Sequence, residues 1–210
     1  SAASDVYKRQ IQDVEDEIDI EDLIEEEECV FTLTRGGYIK RLPVSEYRAQ
    51  GRGGKGVIGM GTKEEDFVEI CLAAHSHSYL MLFSNLGRVY VKKSYMIPEA
   101  SRTAKGSNIV NILDLSEGEK ITAMICVDRF ADDEYLTMIT KNGTIKRTAM
   151  SEYAIQRKGG KIALSLADGD ELLYVALTNG ECDLMIATKS GLAIRFAEKK
   201  KDWKPKTGSR

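Results

Sequence analysis

The sequence has little that would suit a membrane, an export pathway or a metal centre. It contains no run of about eighteen apolar residues, and its first residues lack the pattern of a secretory leader. There are only two histidines, and the four cysteines form no CxxC pair and no Cys–His cluster, which argues against a zinc site. We therefore expect a cytoplasmic protein without a membrane partner or a metal. We also expect its cysteines to be reduced core residues, namely Cys29, Cys71, Cys126 and Cys182.

Charge is unevenly distributed along the chain. The formal net charge is −3, but residues 1–30 carry twelve acidic residues and only two basic ones. The rest of the chain therefore holds 21 acidic and 28 basic residues, a net charge of about +7. Because binding follows the local field rather than the overall charge, the body beyond residue 30 is compatible with a nucleic-acid partner.

Composition and repetition divide the chain into four segments. Residues 1–10 match nothing later in the sequence and form an unmatched leader. Residues 11–28 are acidic with few apolar positions, which predicts a connecting arm. We favour a passive, solvated linker over an arm that competes for the basic surface. Residues 29–196 form a repeated domain, and residues 197–210 an irregular tail that loses the pattern.

A strand–turn–strand pattern occurs four times in the repeated domain. Each copy has apolar and β-branched residues on both sides of a glycine, at Gly37, Gly87, Gly143 and Gly191. These glycines are 50, 56 and 48 residues apart. Glycine at this point supplies the positive φ that a two-residue hairpin needs. The pattern therefore predicts four β-hairpins.

A second pair of strands is expected after each hairpin, best marked by 67–72, 121–127 and 172–177, with Cys71 and Cys126 at equivalent places. A period near 50 residues with about four strands per unit is typical of propeller blades, and residues 29–196 show no sustained helical period. We predict an all-β fold, a propeller-like array of about three and a half four-stranded blades. Because such an array cannot close into a ring, we expect the sequence to be truncated at its C-terminal end.

The loop after the first hairpin has the chemistry of a phosphate-binding segment. It runs from Gln50 to Gly56, and in it Arg52 and Lys55 bracket a pair of glycines. Glycine lets main-chain N–H groups approach phosphate oxygens, while Arg and Lys supply charge and hydrogen-bond donors. No base-reading side chain accompanies them, which favours DNA contacts that do not depend on sequence.

Basic residues recur at the same place in the later repeats. Without gaps, Arg52 and Lys55 align with Arg102 and Lys105, and then with Lys158 and Lys161. Such a recurrence would form a curved stripe of positive charge. Bending 20–30 base pairs of DNA costs on the order of 1–6 kcal/mol, so wrapping requires many phosphate contacts. The predicted DNA-binding residues are Gln50, Arg52, Gly53, Gly54, Lys55, Gly56, Lys40, Arg41, Arg102, Lys105, Lys146, Arg147, Arg157, Lys158 and Lys161.

The Gln50–Gly56 segment resembles a motif of the C-terminal DNA-wrapping domains of bacterial DNA gyrase A subunits, whose usual form is QRRGGKG. Further similar segments lie at 64–67, 98–100, 109–113 and 168–172, and the resemblance runs from about residue 18 to residue 196. The sequence departs from the family at Gly51, where Arg is usual, and so lacks one cation. The resemblance implies a six-bladed β-pinwheel, of which about half would be present here.

The resemblance also implies a function. It is sequence-nonspecific DNA binding and wrapping, which supports ATP-dependent negative supercoiling by the gyrase holoenzyme. In that enzyme a catalytic tyrosine lies in the N-terminal part of the A subunit, while the B subunit hydrolyses ATP. No catalytic residue and no cofactor is therefore expected in this chain, since ATP and Mg²⁺ would act through other domains. The implied partners are double-stranded DNA, the gyrase B subunit, and a second gyrase A subunit.

Two alternatives remain open. The C-terminal domain of the topoisomerase IV A subunit is a close relative, but its motif is degraded or absent, whereas the motif here is almost intact. A propeller-type protein-interaction module is the second alternative, although the WD and Gly-His motifs of such propellers are missing. A propeller enzyme would need acids or histidines clustered at the ring centre, and none occurs in register.

Overall fold

The computed structural model describes residues 20–48, 66–154, 159–187 and 189–198. Within these ranges the regular structure is mainly β-strand, which confirms the all-β prediction. The strands are β1 (Glu28–Thr34), β2 (Tyr38–Pro43), β3 (Val68–His75), β4 (Tyr79–Ser84), β5 (Arg88–Lys93), β6 (Ser107–Asn108), β7 (Ile121–Val127), β8 (Tyr135–Thr140), β9 (Ile145–Ala149), β10 (Lys161–Ile162), β11 (Leu172–Thr178), β12 (Asp183–Ala187) and β13 (Ala193–Ala197). The helical elements are α1 (Val44–Arg48) and four 3-10 turns, Ile20–Leu23, Ser94–Met96, Ile109–Asn111 and Met150–Tyr153.

The four predicted hairpins are present as β1–β2, β4–β5, β8–β9 and β12–β13. Their glycines all have positive φ, between 79° and 85°, as the sequence predicts. The turns are longer than expected, however. The N–H of Gly37 donates to the carbonyl of Thr34 at 2.9 Å, so that three residues join the strands and the glycine follows a β-turn.

Each of the first three hairpins pairs its first strand with a strand that comes later in the chain. Sheet 1 has the order β3-β1-β2-β6, sheet 2 the order β10-β5-β4-β7, and sheet 3 the order β11-β8-β9. Sheet 4 consists of β12 and β13. A register shift occurs at the same place in the first three sheets, near the end of the first hairpin strand. The repeats of the sequence are therefore repeats of structure.

The fourth strand of a sheet comes from the next repeat. Strand β6 lies between β5 and β7 in the chain, but it pairs with β2 in sheet 1. Strand β10 lies between β9 and β11, but it pairs with β5 in sheet 2. The prediction of four strands per unit is correct for sheets 1 and 2, whereas the expectation that each unit supplies all four is wrong. Consecutive repeats are thus joined by backbone hydrogen bonds.

In the part of the chain that the structure describes, the core consists of two apolar layers, one on each side of sheet 2. Side chains alternate between the two faces of a strand, so Leu80 and Leu82 of β4 pack in the layer with Phe31 of sheet 1. Met81 and Phe83 of the same strand pack in the layer with residues of sheet 3. All four of these β4 side chains are inaccessible to solvent. Strand β4 is therefore the most enclosed part of the fold, and it fixes the stacking of the sheets.

The four cysteines are free thiols, as predicted, but only Cys29 is fully buried. Burial raises the pKa of the Cys29 thiol, which suits an unreactive core residue. Cys71 is exposed, so its predicted core position is wrong. Its expected equivalence with Cys126 is also wrong: Cys71 faces Thr32, five residues before the hairpin glycine, whereas Cys126 faces Leu80, seven residues before it.

No helix in the described ranges is both long enough and apolar enough to cross a membrane.

Candidate nucleic-acid interface

Part of the predicted DNA-binding stripe lies outside the described residues. This part comprises Gln50, Arg52, Gly53, Gly54, Lys55, Gly56, Arg157 and Lys158. The structure does describe the loop 101–106 of the second repeat and Lys161 of the third. It also describes the hairpin pairs Lys40-Arg41 and Lys146-Arg147.

The predicted loops lead into the edge strands β6 and β10, and their pairing fixes the register between repeats. Ser107 faces Ile39 in sheet 1, and Lys161 faces Val89 in sheet 2. Since Ile39 and Val89 both lie two residues after a hairpin glycine, Ser107 and Lys161 are equivalent. The gap-free alignment of Lys105 with Lys161 is therefore wrong by two residues. Its cause is a connection from hairpin to edge strand that is two residues shorter in the third repeat.

A glycine with positive φ ends each loop just before the edge strand. Gly106 has φ +91° and Gly160 has φ +72°. A β-carbon at Gly106 would lie 2.5 Å from the carbonyl oxygen of Ile39, and one at Gly160 would lie 2.9 Å from the Tyr90 ring. Both loops thus pass so close to the preceding sheet that only glycine fits. This approach holds the neighbouring cations at the sheet edge.

Lys105 and Lys161 are half-buried cations at these edges. The Lys105 ammonium lies 3.5 Å from the ring centroid of Tyr38, and that of Lys161 lies 5.5 Å from the ring centroid of Tyr153. Lys161 also donates to the carbonyl of Glu152. The ring faces attract the ammonium groups without neutralising them. Within the described ranges neither lysine forms an ion pair, although the charge of Lys105 acts on the Asp66 carboxyl at longer range. Both ammonium groups therefore remain suited to an anionic ligand.

Lys40 is a buried lysine, which contradicts its predicted role as a surface contact. It is only 2% exposed, and its Nζ donates to the carbonyls of Ser101, Arg102 and Ala104 at 3.0, 2.9 and 2.9 Å. Burial lowers the pKa of this ammonium group. A group with all three protons committed to carbonyls is not available to a phosphate.

Lys146 occupies the equivalent place in the third hairpin, where it is only partly buried. Its Nζ donates to the carbonyl of Ala163 at 3.0 Å. Burial is the main cause that lowers the pKa of this lysine, and the nearby Lys161 charge lowers it further. Lys146 is thus partly buried and bonded to one carbonyl, unlike Lys40, whose three donors are all bonded.

Arg41 and Arg147 are paired with carboxylates, which again differs from the prediction. The guanidinium of Arg41 lies 3.6 Å from Glu27 and 3.4 Å from Glu99, and its side chain is 11% exposed. The guanidinium of Arg147 lies 3.2 Å from Glu198, whose side chain is fully buried. Removing the partner of the buried Glu198 carboxylate would be costly, so Arg147 has a structural role. Arg41 is itself largely buried between two more exposed carboxylates, and so has little surface left for a ligand.

A recurring acid that sequence reasoning did not single out fixes the hairpin turns. Asp66 accepts from the Thr34 hydroxyl and the Gly36 N–H, both at 2.8 Å. Asp170 accepts from the Asn142 N–H at 2.9 Å at the same place in sheet 3. The signal was present: a threonine stands three residues before Gly37 and Gly143, and an acid stands just before the strand that pairs beside it. Without the pairing, these acids look like ordinary solvated turn residues.

The end of the acidic arm is bound to the body, which differs from the predicted solvated linker. The carboxylate of Glu21 lies 2.9 Å from the Lys93 ammonium. Burial alone would lower the pKa of Lys93, but the Glu21 carboxylate raises it above its ordinary value. The Ser76 hydroxyl donates to the Glu25 carbonyl at 2.7 Å, and the Glu27 N–H donates to that hydroxyl at 3.1 Å. Residues 20–28 therefore lie against the turn that joins β3 to β4.

A family described as the DNA gyrase C-terminal domain, beta-propeller, matches residues 30–73, 78–128, 134–179 and 183–200. The chain belongs to this family. The DNA gyrase A subunit of Clostridium acetobutylicum is 49% identical over 92% of this chain and 23% of its own length. The chain thus spans about a quarter of that relative. The match bears out both the resemblance of the sequence and the propeller-like fold.

Two solved structures have the same architecture. A DNA gyrase A C-terminal domain superposes with a TM-score of 0.64 and 30% identity, over 81% of this chain and 55% of the other. A C-terminal domain of DNA topoisomerase IV superposes with a TM-score of 0.67 and 27% identity, over 83% of this chain and 53% of the other. The topoisomerase IV alternative is not better supported, because the match to a gyrase A subunit reaches 49% identity.

Proposed function

We propose that this chain is the DNA-binding part of a cytoplasmic DNA gyrase A subunit. It binds double-stranded DNA without reading its sequence, and it bends the DNA along the edges of consecutive sheets. In the holoenzyme, with the B subunit, and with a second A subunit, this wrapping supports ATP-dependent negative supercoiling. ATP and Mg²⁺ act through other domains, and no residue of this chain is assigned a catalytic role.

One observation carries the proposal beyond family membership. Basic residues lie at the same edge of consecutive sheets. Arg102 and Lys105 lie in the loop before β6, which pairs with sheet 1, and Lys161 lies in β10, which pairs with sheet 2. Cations at one recurring edge suit a phosphate backbone that follows the array. Phosphate contacts fix DNA in position without reading bases, which matches a wrapping function.

The first test measures how the affinity of the full-length subunit for DNA depends on salt. Arg102→Ala/Lys105→Ala should reduce the slope of log affinity against log salt by about 0.9 for each phosphate that is no longer neutralised, or up to about 1.8. The matched control is Lys120→Ala/Arg129→Ala, which removes the same charge next to β7, at the opposite edge of sheet 2 from β10. Equal slopes for the two variants would refute the edge assignment.

The second test is wrapping itself. Nicked circular DNA is ligated in the presence of the full-length protein, and the change in linking number is measured. A positive shift is expected, and it should be lost in Arg52→Ala/Lys55→Ala and reduced in Arg102→Ala/Lys105→Ala. No shift with the wild-type protein at low salt would reject wrapping, whatever the binding affinity.

A further inference from the structure

Lys40 connects the first hairpin to the basic loop of the second repeat. Its three ammonium protons go to three carbonyls of one loop, those of Ser101, Arg102 and Ala104. These partners lie more than 60 residues away in the sequence. An ammonium group has three donors, so this loop satisfies it completely.

The segment that leads to this loop is held along β2 by the next residue. The Arg41 N–H donates to the carbonyl of Pro98, and the Ala100 N–H donates to the carbonyl of Arg41, both at 3.1 Å. The Arg41 Nε also donates to the carbonyl of Ile97 at 3.1 Å. Arg41 therefore fixes the start of the segment, and Lys40 fixes its end, where the basic residues lie.

The contacts of Lys40 also set the direction of the loop's peptide groups. The described chain contains no cis peptide bond. In a trans peptide the C=O and the following N–H point in opposite directions. Because the carbonyls of Ser101, Arg102 and Ala104 face Lys40, the N–H groups of residues 102, 103 and 105 point away from it. Main-chain N–H groups beside basic side chains are the arrangement that holds phosphate.

We propose that Lys40 is a positioning residue of the DNA interface: it fixes loop 101–105 in its phosphate-binding conformation and does not touch DNA. This inference rests on the proposed function of that loop.

The first experiment needs no DNA. Trypsin cleaves after Arg102 and Lys105, and cleavage requires the loop to leave its bound conformation. In the full-length subunit, Lys40→Met should speed cleavage at these two sites by about tenfold or more, since three charge-assisted hydrogen bonds are removed. The matched control is Leu42→Ala, a buried apolar side chain on the same strand. Unchanged cleavage, or an equal increase in the control, would overturn the proposal.

The second experiment is a mutant cycle in DNA binding. Lys40→Met should lower the salt slope as much as Arg102→Ala/Lys105→Ala does, and adding it to that double variant should change nothing further. A merely structural role would leave the slope at the wild-type value, as is expected for Leu42→Ala. A further decrease of about 0.9 in the triple variant would mean that Lys40 contacts phosphate itself. Either of these results overturns the proposal.

The two experiments distinguish a failure of the positioning role of Lys40 from a failure of the proposed function. If Arg102→Ala/Lys105→Ala leaves the salt slope unchanged, the loop does not bind DNA and the proposed edge interface is wrong, even when Lys40→Met speeds cleavage. If the double variant lowers the slope but Lys40→Met affects neither slope nor cleavage, the interface stands and the positioning role is wrong.

Discussion

Protonation of Asp66 would remove a hydrogen-bond acceptor from the turn of the first hairpin. The N–H of Gly36 is the main cause that lowers the pKa of this carboxyl from its ordinary value of 3.8, and the Thr34 hydroxyl contributes. Burial alone would raise the pKa of Asp170, but bonds from Thr140, Asn142 and Glu171 lower it. Both groups therefore stabilise the fold above the unfolded-state pKa, and this stabilisation is lost as the pH falls through the lower folded-state value.

We expect Asp66→Asn to be less stable than the wild type near neutral pH, with a difference that shrinks as the pH falls below about 4. The measurement is the urea midpoint of unfolding from pH 3 to pH 7. Asp132→Asn, an exposed carboxylate in the β7–β8 connection, is the control for loss of charge. A difference that stays constant across this pH range would show that the amide's geometry, and not its missing charge, is responsible.

The hairpin cations show what residue types can and cannot predict. The sequence indicates that Lys40 and Arg41 are cations next to a basic loop, and this is correct. It does not indicate that their partners are carbonyls of Ser101 and Arg102 and the carboxylates of Glu27 and Glu99. A lysine that binds phosphate and a lysine that binds carbonyl oxygens have the same charge and the same strand position. Only the tertiary contacts separate them.

Strands β6 and β10 pair with the sheet of the preceding repeat, and this pairing requires a close approach between repeats. Strand β6 is two residues long, and Gly106 precedes it at φ +91°, with the carbonyl of Ile39 2.5 Å from where a β-carbon would be. Both the backbone conformation and the space therefore exclude a side chain. Gly118 also has positive φ, +73°, but nothing lies within 4 Å of its β-carbon position.

Comparison of Gly106 with Gly118 separates the free-energy cost of the backbone conformation from the cost of the steric contact. Gly118→Ala should cost about 1–2 kcal/mol of unfolding free energy, the cost of a left-handed conformation. Gly106→Ala should cost more, about 3 kcal/mol or above, because the backbone of β2 or of the loop must also shift. Urea denaturation of both variants measures the difference. Equal losses would mean that the loop moves away from β2 without cost.

The elements differ in how well the sequence predicts them. The hairpins follow from apolar strands around a glycine, since turn chemistry is local. The pairing of β6 and β10 with the preceding sheets does not follow from the sequence, because strands of two residues are too short to show an alternation of apolar and polar side chains. For the same reason the gap-free alignment of the repeats is wrong by two residues, since only the pairing with Ile39 and Val89 reveals the shorter connection.

At the scale of the whole chain, an acidic segment adjoins a basic body. Glu21 pairs with Lys93, while Asp22, Glu25, Glu26 and Glu28 are exposed. Carboxylates held against the body extend their field over it within a Debye length, about 10 Å at 0.1 M salt. The bound position of residues 20–28 keeps these charges beside the body, which predicts that they weaken its attraction for an anionic ligand.

Asp22→Asn/Glu26→Gln should therefore raise DNA affinity in low salt by a few-fold, and the gain should disappear in high salt as the charges are screened. Asp132→Asn/Asp133→Asn changes exposed acids of the β7–β8 connection and serves as the control. Filter binding or anisotropy over a series of salt concentrations would measure both. The same gain in the control would show an effect of net charge alone, without a role for the arm.

Because β6 and β10 complete the sheets of the preceding repeats, those sheets remain incomplete for part of translation. Ile39 of β2 pairs with Ser107, which is about 70 residues later in the chain. Val89 of β5 pairs with Lys161, at a similar separation. At 5–20 residues per second, each edge stays open for roughly 3 to 14 seconds after its own residues have been made. An open edge can pair with any extended chain nearby, so this interval is when nascent repeats are most exposed to wrong partners. Sheets 1 and 2 are thus each completed only when the following repeat has been translated.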